Sequence, residues 1–210
     1  MNAVSWKRAR APWQLCASWL LCVLVVPSGP QGFSHAHDTS RQRGSASAAY
    51  SIPAVTLVDQ KNQPIQFDTL LAQSRPTLVE FFFTTCTTFC DVRSAQLVAV
   101  QHELAEAHIE MAFVSISLDP EFDRPERLQA YATHIQPAPD NWWLLTGPVP
   151  AIEEVVAAFD ARNPSADKML HQPLTFIRAN PSQPWVRLEG MMSAHELAGH
   201  VKAAVARSSP

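Results

Sequence analysis

Apolar positions along this chain recur with two periods, and the switches between those periods lay out the elements. Residues 55–58 (Val-Thr-Leu-Val) and 65–67 (Ile-Gln-Phe) flank the polar run Asp59-Gln60-Lys61-Asn62-Gln63-Pro64, a β-hairpin signal. Leu70 and Leu71 begin a short helical turn that Pro76 closes. Residues 77–83 are near-continuously apolar, which predicts a buried strand of the parallel-sheet type. Leu97, Val100, Leu104 and Ala107 then return at helical spacing and mark one buried face. Residues 111–117 read as a second buried strand. Asp123 with Glu126 has the form of a capping box, with Pro125 in the first turn, and predicts a helix that turns Leu128, Tyr131, Ala132 and Ile135 inward. Residues 142–145 are a short strand, Gly147-Pro148 a turn, and Ile152, Val155, Val156 and Phe159 the inner face of another helix. A loop over residues 160–173, with little apolar pattern, leads to strands at 174–178 and 185–188 joined as a second hairpin. Ser193 and Glu196 make a further capping box, before a last helix with Leu197, Val201, Ala204 and Val205 inward.

The resulting order, β-α-β-α-β-α-β-β-α after a leading hairpin, predicts an α/β protein. The expected fold is thioredoxin-like: a central mixed sheet flanked by helices, with an N-terminal β-hairpin. Reactive groups in such a sheet collect beyond the carboxyl ends of the strands.

Composition adds an address. The chain has 210 residues, 47% of them hydrophobic, enough for one domain with a core plus some tail. The formal charge is −3 and no basic run occurs outside the N-terminus, which argues against a nucleic-acid partner. Lys7, Arg8 and Arg10 precede an apolar run from Leu15 to Val26; Pro27, Gly29 and Pro30 break it, and Ser34-His35-Ala36 offers a cleavage site. Residues 1–36 therefore read as an export signal, with a retained N-terminal anchor, and so a membrane tether, as the second reading. Either places the domain in the periplasm or on the periplasmic face of the inner membrane. Cleavage removes three basic and no acidic residues, so the charge falls from −3 to −6. Residues 37–50, rich in Ser, Ala and Arg, are expected to be a disordered linker, and residues 51–207 the domain.

Cleavage also removes Cys16 and Cys22, leaving Cys86 and Cys90. They lie where the strand at 77–83 gives way to a helix. Unpaired N–H groups at a helix start favour thiolate, which is both the nucleophile of disulfide exchange and a ligand for soft metals. A separation of four residues puts both sulfurs on one side of a first helical turn, close enough to join each other or one ion. An inert structural disulfide, or two small buried hydrophobes, remain open on these residues alone. A disulfide closing so short a loop adds little to stability, which shifts the weight toward redox or metal chemistry.

Four separated motifs then fall in one order: Thr84-x-Cys86-x-x-x-Cys90 after an aromatic strand; Ser115-x-Ser117-x-Asp119-Pro120-Glu121-x-Asp123-x-Pro125-Glu126 with Leu128-x-x-Tyr131; Leu145-Thr146-Gly147; and His171-Gln172 before a strand. Together they resemble the Sco/SenC copper chaperones over roughly residues 50–205. The resemblance implies a thioredoxin-like fold and assembly of the dinuclear copper centre of cytochrome c oxidase subunit II. It implies Cys86, Cys90 and His171 as copper ligands. A copper donor protein is expected as a second partner, and the chain is expected to act as a monomer. Two thiolates and an imidazole suit Cu(I), and also Cu(II) in a site of mixed softness. The family usually carries proline after each cysteine; Thr87 and Asp91 stand there in this chain. Met191 and Met192 precede the last helix, where a thioether beside Cu(I) is chemically reasonable and core packing is the plainer reading.

The rival function is a thiol–disulfide oxidoreductase, with Cys86 and Cys90 as a redox pair reducing the oxidised cysteines of the same oxidase subunit. A metallochaperone is not an enzyme in the strict sense; a reductase is. Only the chaperone needs His171, whose loop setting suggests that its ring adds little to folding. Thioredoxin-type enzymes place two residues between their cysteines, not three. A peroxiredoxin pattern would need proline at position 79 and threonine at 83, where Val79 and Phe83 stand. A structural zinc site would want a fourth ligand with finger-like spacing.

Overall fold

Two strands, Thr77–Phe82 and Ala112–Ser117, have every residue buried, and they lie side by side in the middle of the sheet. The structure is a computed structural model that describes residues 45–86, 90–133, 135, 140–163 and 171–208. The leader expected over residues 1–36, the linker at 37–44 and Thr87 lie outside the described residues. In chain order the elements are β1 (Ser45–Ala48), β2 (Thr56–Asp59), β3 (Pro64–Gln66), α1 (Phe67–Leu71), β4 (Thr77–Phe82), α2 (Cys90–Glu106), β5 (Ala112–Ser117), α3 (Pro125–Ala132), β6 (Trp142–Thr146), α4 (Val149–Ala158), β7 (Leu174–Arg178), β8 (Trp185–Glu189) and α5 (Ala194–Ser208).

These strands form one mixed sheet in the order β1-β8-β7-β4-β5-β6-β2-β3. β4, β5 and β6 run parallel; β7 pairs antiparallel with β4, and β2 with β6. Side chains alternate across the sheet. Leu78 and Phe82 of β4 join Leu97, Val100 and Leu104 of α2, Leu128 and Tyr131 of α3, and Leu197 and Val201 of α5 in one apolar layer. Val79 and Phe81 join Phe67 of α1, Ile152 and Val155 of α4, and Phe159 in the other. This is the thioredoxin-like α/β sandwich, with helices on both faces of a mixed sheet.

The second layer is aromatic. The Phe159 ring meets Tyr50, Phe67, Phe81, Phe176 and Trp185 at centroid distances of 4.9–6.4 Å. The Tyr50 pair is tilted at 35° and the other four are edge-to-face; such aromatic pairs add about 0.5–1.5 kcal/mol each beyond the area they bury.

Three expectations are corrected. Residues 45–48, assigned to a disordered linker, form β1, which pairs antiparallel with β8 from Ser45↔Leu188 to Ala48↔Trp185. Ala107, assigned to the buried face of its helix, is exposed, because α2 stops at Glu106. The chain closes that helix by a bond from the Ile109 N–H to the Leu104 carbonyl at 2.9 Å, with His108 in the left-handed region at φ 56°. The Asp123–Glu126 capping box does not form: Arg124 is the N-cap of α3 and makes no side-chain cap bond. The other box is present, with the Ser193 N–H donating to Glu196 Oε2 at 2.7 Å and the Glu196 N–H to Ser193 Oγ at 3.2 Å.

Candidate metal centre

Beyond Phe82 the chain leaves the sheet and turns at once. The Cys86 N–H donates to the Phe83 carbonyl at 3.2 Å, and α2 begins at Cys90. The two cysteines thus span the gap between the carboxyl end of a central strand and a helix N-terminus, whose unpaired N–H groups favour negative charge. Cys86 is 5% exposed. The side chain of Cys90 lies outside the described residues.

His171 comes in from the far side of the sequence, on the segment that enters β7. It is 6% exposed, and its ring centroid lies 5.3 Å from that of Phe83, with the planes tilted by 58°. Phe83 therefore meets both residues, Cys86 through its carbonyl and His171 through its ring. The expectation that this histidine adds little to folding is corrected: the loop around it carries little apolar pattern, but the ring itself is packed in. Among the described residues no group of three or more His, Cys, Asp or Glu side chains converges as a metal cage. The third residue of the expected set, Cys90, has no described side chain.

Asp123 is fully buried, and its carboxylate is bonded to the turn just ahead of Cys86. It accepts the Thr84 N–H at 3.0 Å, the Thr84 hydroxyl, and the Ser117 hydroxyl at 2.6 Å. Ser117 Oγ in turn accepts the Asp119 N–H at 3.0 Å. Three donors offset the cost of burying this carboxylate. They also fasten the turn that carries Cys86 to the end of β5. The sequence places this aspartate beyond the carboxyl end of a strand, which is a signal for a site; its fit to a helix-cap pattern hid it.

A second polar group lies beneath α2. Arg93 and Glu80 form an ion pair at 2.9 Å with side chains only 5% and 4% exposed. Glu80 also accepts the Ser115 hydroxyl at 2.7 Å, and Ser115 accepts the Trp142 indole N–H at 3.0 Å. A lone acid inside an apolar strand was the available sign of it.

Asp91 is exposed and lines a cleft of about 500 Å³ with Thr84, Ser94 and Tyr131. On its wall the Ser94 and Tyr131 hydroxyls bond at 2.8 Å. Met192 is buried in the same apolar layer as Cys86, and Met191 is half-buried.

A family model described as SCO1/SenC matches residues 44–206. A SCO1 protein homolog of Bacillus subtilis is 31% identical over 98 residues, 47% of this chain and 50% of that protein. The chain spans half or less of the length of the curated relatives it matches. Among solved structures, BsSco, a member of the Sco family of cytochrome c oxidase assembly proteins in which a disulfide switch was identified, is 26% identical with a TM-score of 0.63, covering 78% of this chain and 98% of its own. Bradyrhizobium japonicum ScoI with copper bound, at 21% identity and a TM-score of 0.60, covers 73% of this chain and 99% of its own, a likeness of fold.

Proposed function

The chain belongs to the SCO1/SenC family, and on that premise we propose that it is a copper metallochaperone of cytochrome c oxidase assembly. In this reading the reduced protein holds one copper ion through the Cys86 and Cys90 thiolates and the His171 imidazole. It receives the ion from a donor protein and passes it to the dinuclear copper site of oxidase subunit II, on the periplasmic side of the membrane. Transfer is ligand exchange: incoming thiolates replace Cys86, Cys90 and His171 in turn, and no electron moves. Two soft sulfurs and a nitrogen in an apolar setting suit Cu(I), which needs little further solvation.

The observation that carries the reading is the shared contact with Phe83, which supports putting Cys86 and His171 at one site although they are far apart in sequence. Thiol–disulfide exchange does not require that histidine. The test is anaerobic copper titration of the reduced and the oxidised protein, followed by sulfur-to-copper charge-transfer absorption. One copper per reduced chain is expected, with no tight binding by the disulfide form. Equal uptake by both forms would overturn the reading, because the thiols would then not hold the ion; no uptake by either form would favour a thiol–disulfide reductase acting on the oxidase cysteines.

A further inference from the structure

Cys86, Cys90 and His171 sit on three separate pieces of the chain: the turn after β4, the first residue of α2, and the segment entering β7. One side chain reaches all three supporting elements. Arg93, in α2 one turn beyond Cys90, donates from Nε to Glu80 Oε2 on β4 at 2.9 Å, from Nη2 to Thr175 Oγ1 on β7, and from Nη1 to Gln96 Oε1 at 2.7 Å. Gln96 extends the link from its Nε2 to the Met192 carbonyl, ahead of α5. Glu80 and Thr175 face each other across the β4–β7 ladder, and both are buried with Arg93.

Stability alone is a poor reason for such a group. A buried ion pair often does no better than apolar side chains of the same volume, because desolvation cancels most of the attraction. A planar guanidinium does supply fixed geometry at several acceptors at once, which neither an apolar residue nor a lysine can do. We propose that Arg93 is the positioning residue of the metal centre. By bonding β4 and β7 from one point on α2, it sets the height and rotation of that helix against both strands. It thereby holds the cysteine turn and His171 at a fixed separation. This rests on the reading of Cys86, Cys90 and His171 as the copper ligands.

Two substitutions separate positioning from charge balance. R93K keeps a cation for Glu80 but loses the fork. T175V removes one hydroxyl and leaves the Glu80–Arg93 pair whole, so it serves if R93K does not fold. The first measurement is made on the reduced, metal-free protein: the nuclear Overhauser contact between the Phe83 and His171 rings. The Phe159–Phe176 contact, at 4.9 Å in the other apolar layer, is the internal control. Both variants are expected to keep the control and weaken the Phe83–His171 signal. The second measurement is copper(I) affinity, by chelator competition, with His171 present and with His171→Ala. R93K is expected to lower affinity about tenfold with His171 present. With His171 already replaced, the loss should be under about threefold, the non-additivity of residues that act through one site. An unchanged ring contact with equal losses in both backgrounds overturns the proposal and leaves Arg93 as a countercharge. If the wild-type protein takes no copper, the chaperone reading falls, and the ring contact still decides whether Arg93 places His171.

Discussion

The Thr84 backbone N–H donates to Asp123 Oδ2 at 3.0 Å, which ties the turn just ahead of Cys86 to the loop between β5 and α3. Removing that carboxylate strands three buried or half-buried donors. Asp123→Ala is expected to cost about 3 kcal/mol of folding stability, with Asp123→Asn losing less because one acceptor survives. Urea unfolding measures the loss, and copper titration of whatever remains folded should show weakened binding. A neutral effect of the alanine variant on both would remove Asp123 from the site's support.

His171→Ala should leave a disulfide that still forms and is still reduced, since exchange needs only the two sulfurs. Copper affinity should fall by at least about tenfold, or ~1.4 kcal/mol. Because the ring is buried against Phe83, a stability loss of about 1–3 kcal/mol accompanies it. Unchanged copper affinity in a folded variant would take His171 out of the ligand set.

Cys86→Ser and Cys90→Ser are each expected to abolish tight copper binding and oxidase maturation, because a hydroxyl is a poor ligand for Cu(I). Cells that carry either change and still build a metallated oxidase subunit would make the pair structural.

Phe159→Ala provides a contrast. The ring lies in the apolar layer on the face of the sheet away from α2 and touches five other aromatic rings. A cavity there should cost about 3–5 kcal/mol. Copper affinity of the folded fraction should not change; a large change would mean that the two layers are coupled through the sheet.

Most of the architecture was legible because burial here follows period. β5, β7 and the inner faces of α3 and α5 carry enough consecutive apolar positions to be read without partners. What was hidden depends on partners distant in sequence. β1 is Ser-Ala-Ser-Ala and pairs with β8 through its backbone, so no side-chain pattern announces it. Asp123 fits a local cap, but buried donors on Thr84 and Ser117 win the carboxylate. His171 lies in a stretch of loop composition, and its ring packs against Phe83, 88 residues earlier. Glu80 could be seen as odd within its strand, yet Arg93 becomes its partner only once α2 is laid across β4.

The buried arginine also bears on the order of assembly. Glu80 and Arg93 are 13 residues apart, whereas Arg93 and Thr175 are 82 apart. Closing the longer loop costs more chain entropy, and non-local strand pairing is slow. The strand–turn–helix unit bearing both cysteines is therefore expected to form before β7 delivers His171. Pulse-labelled hydrogen exchange should find β4 and α2 amides protected ahead of those of β7, and the reverse order would refute this sequence of events. In an oxidising compartment a newly made chain would then present two neighbouring thiols before any imidazole reaches them. Were an exported thiol oxidant to take two electrons and two protons from them at that stage, the first finished form would be the disulfide, and a reductant, rather than copper supply, would govern when each new molecule enters service.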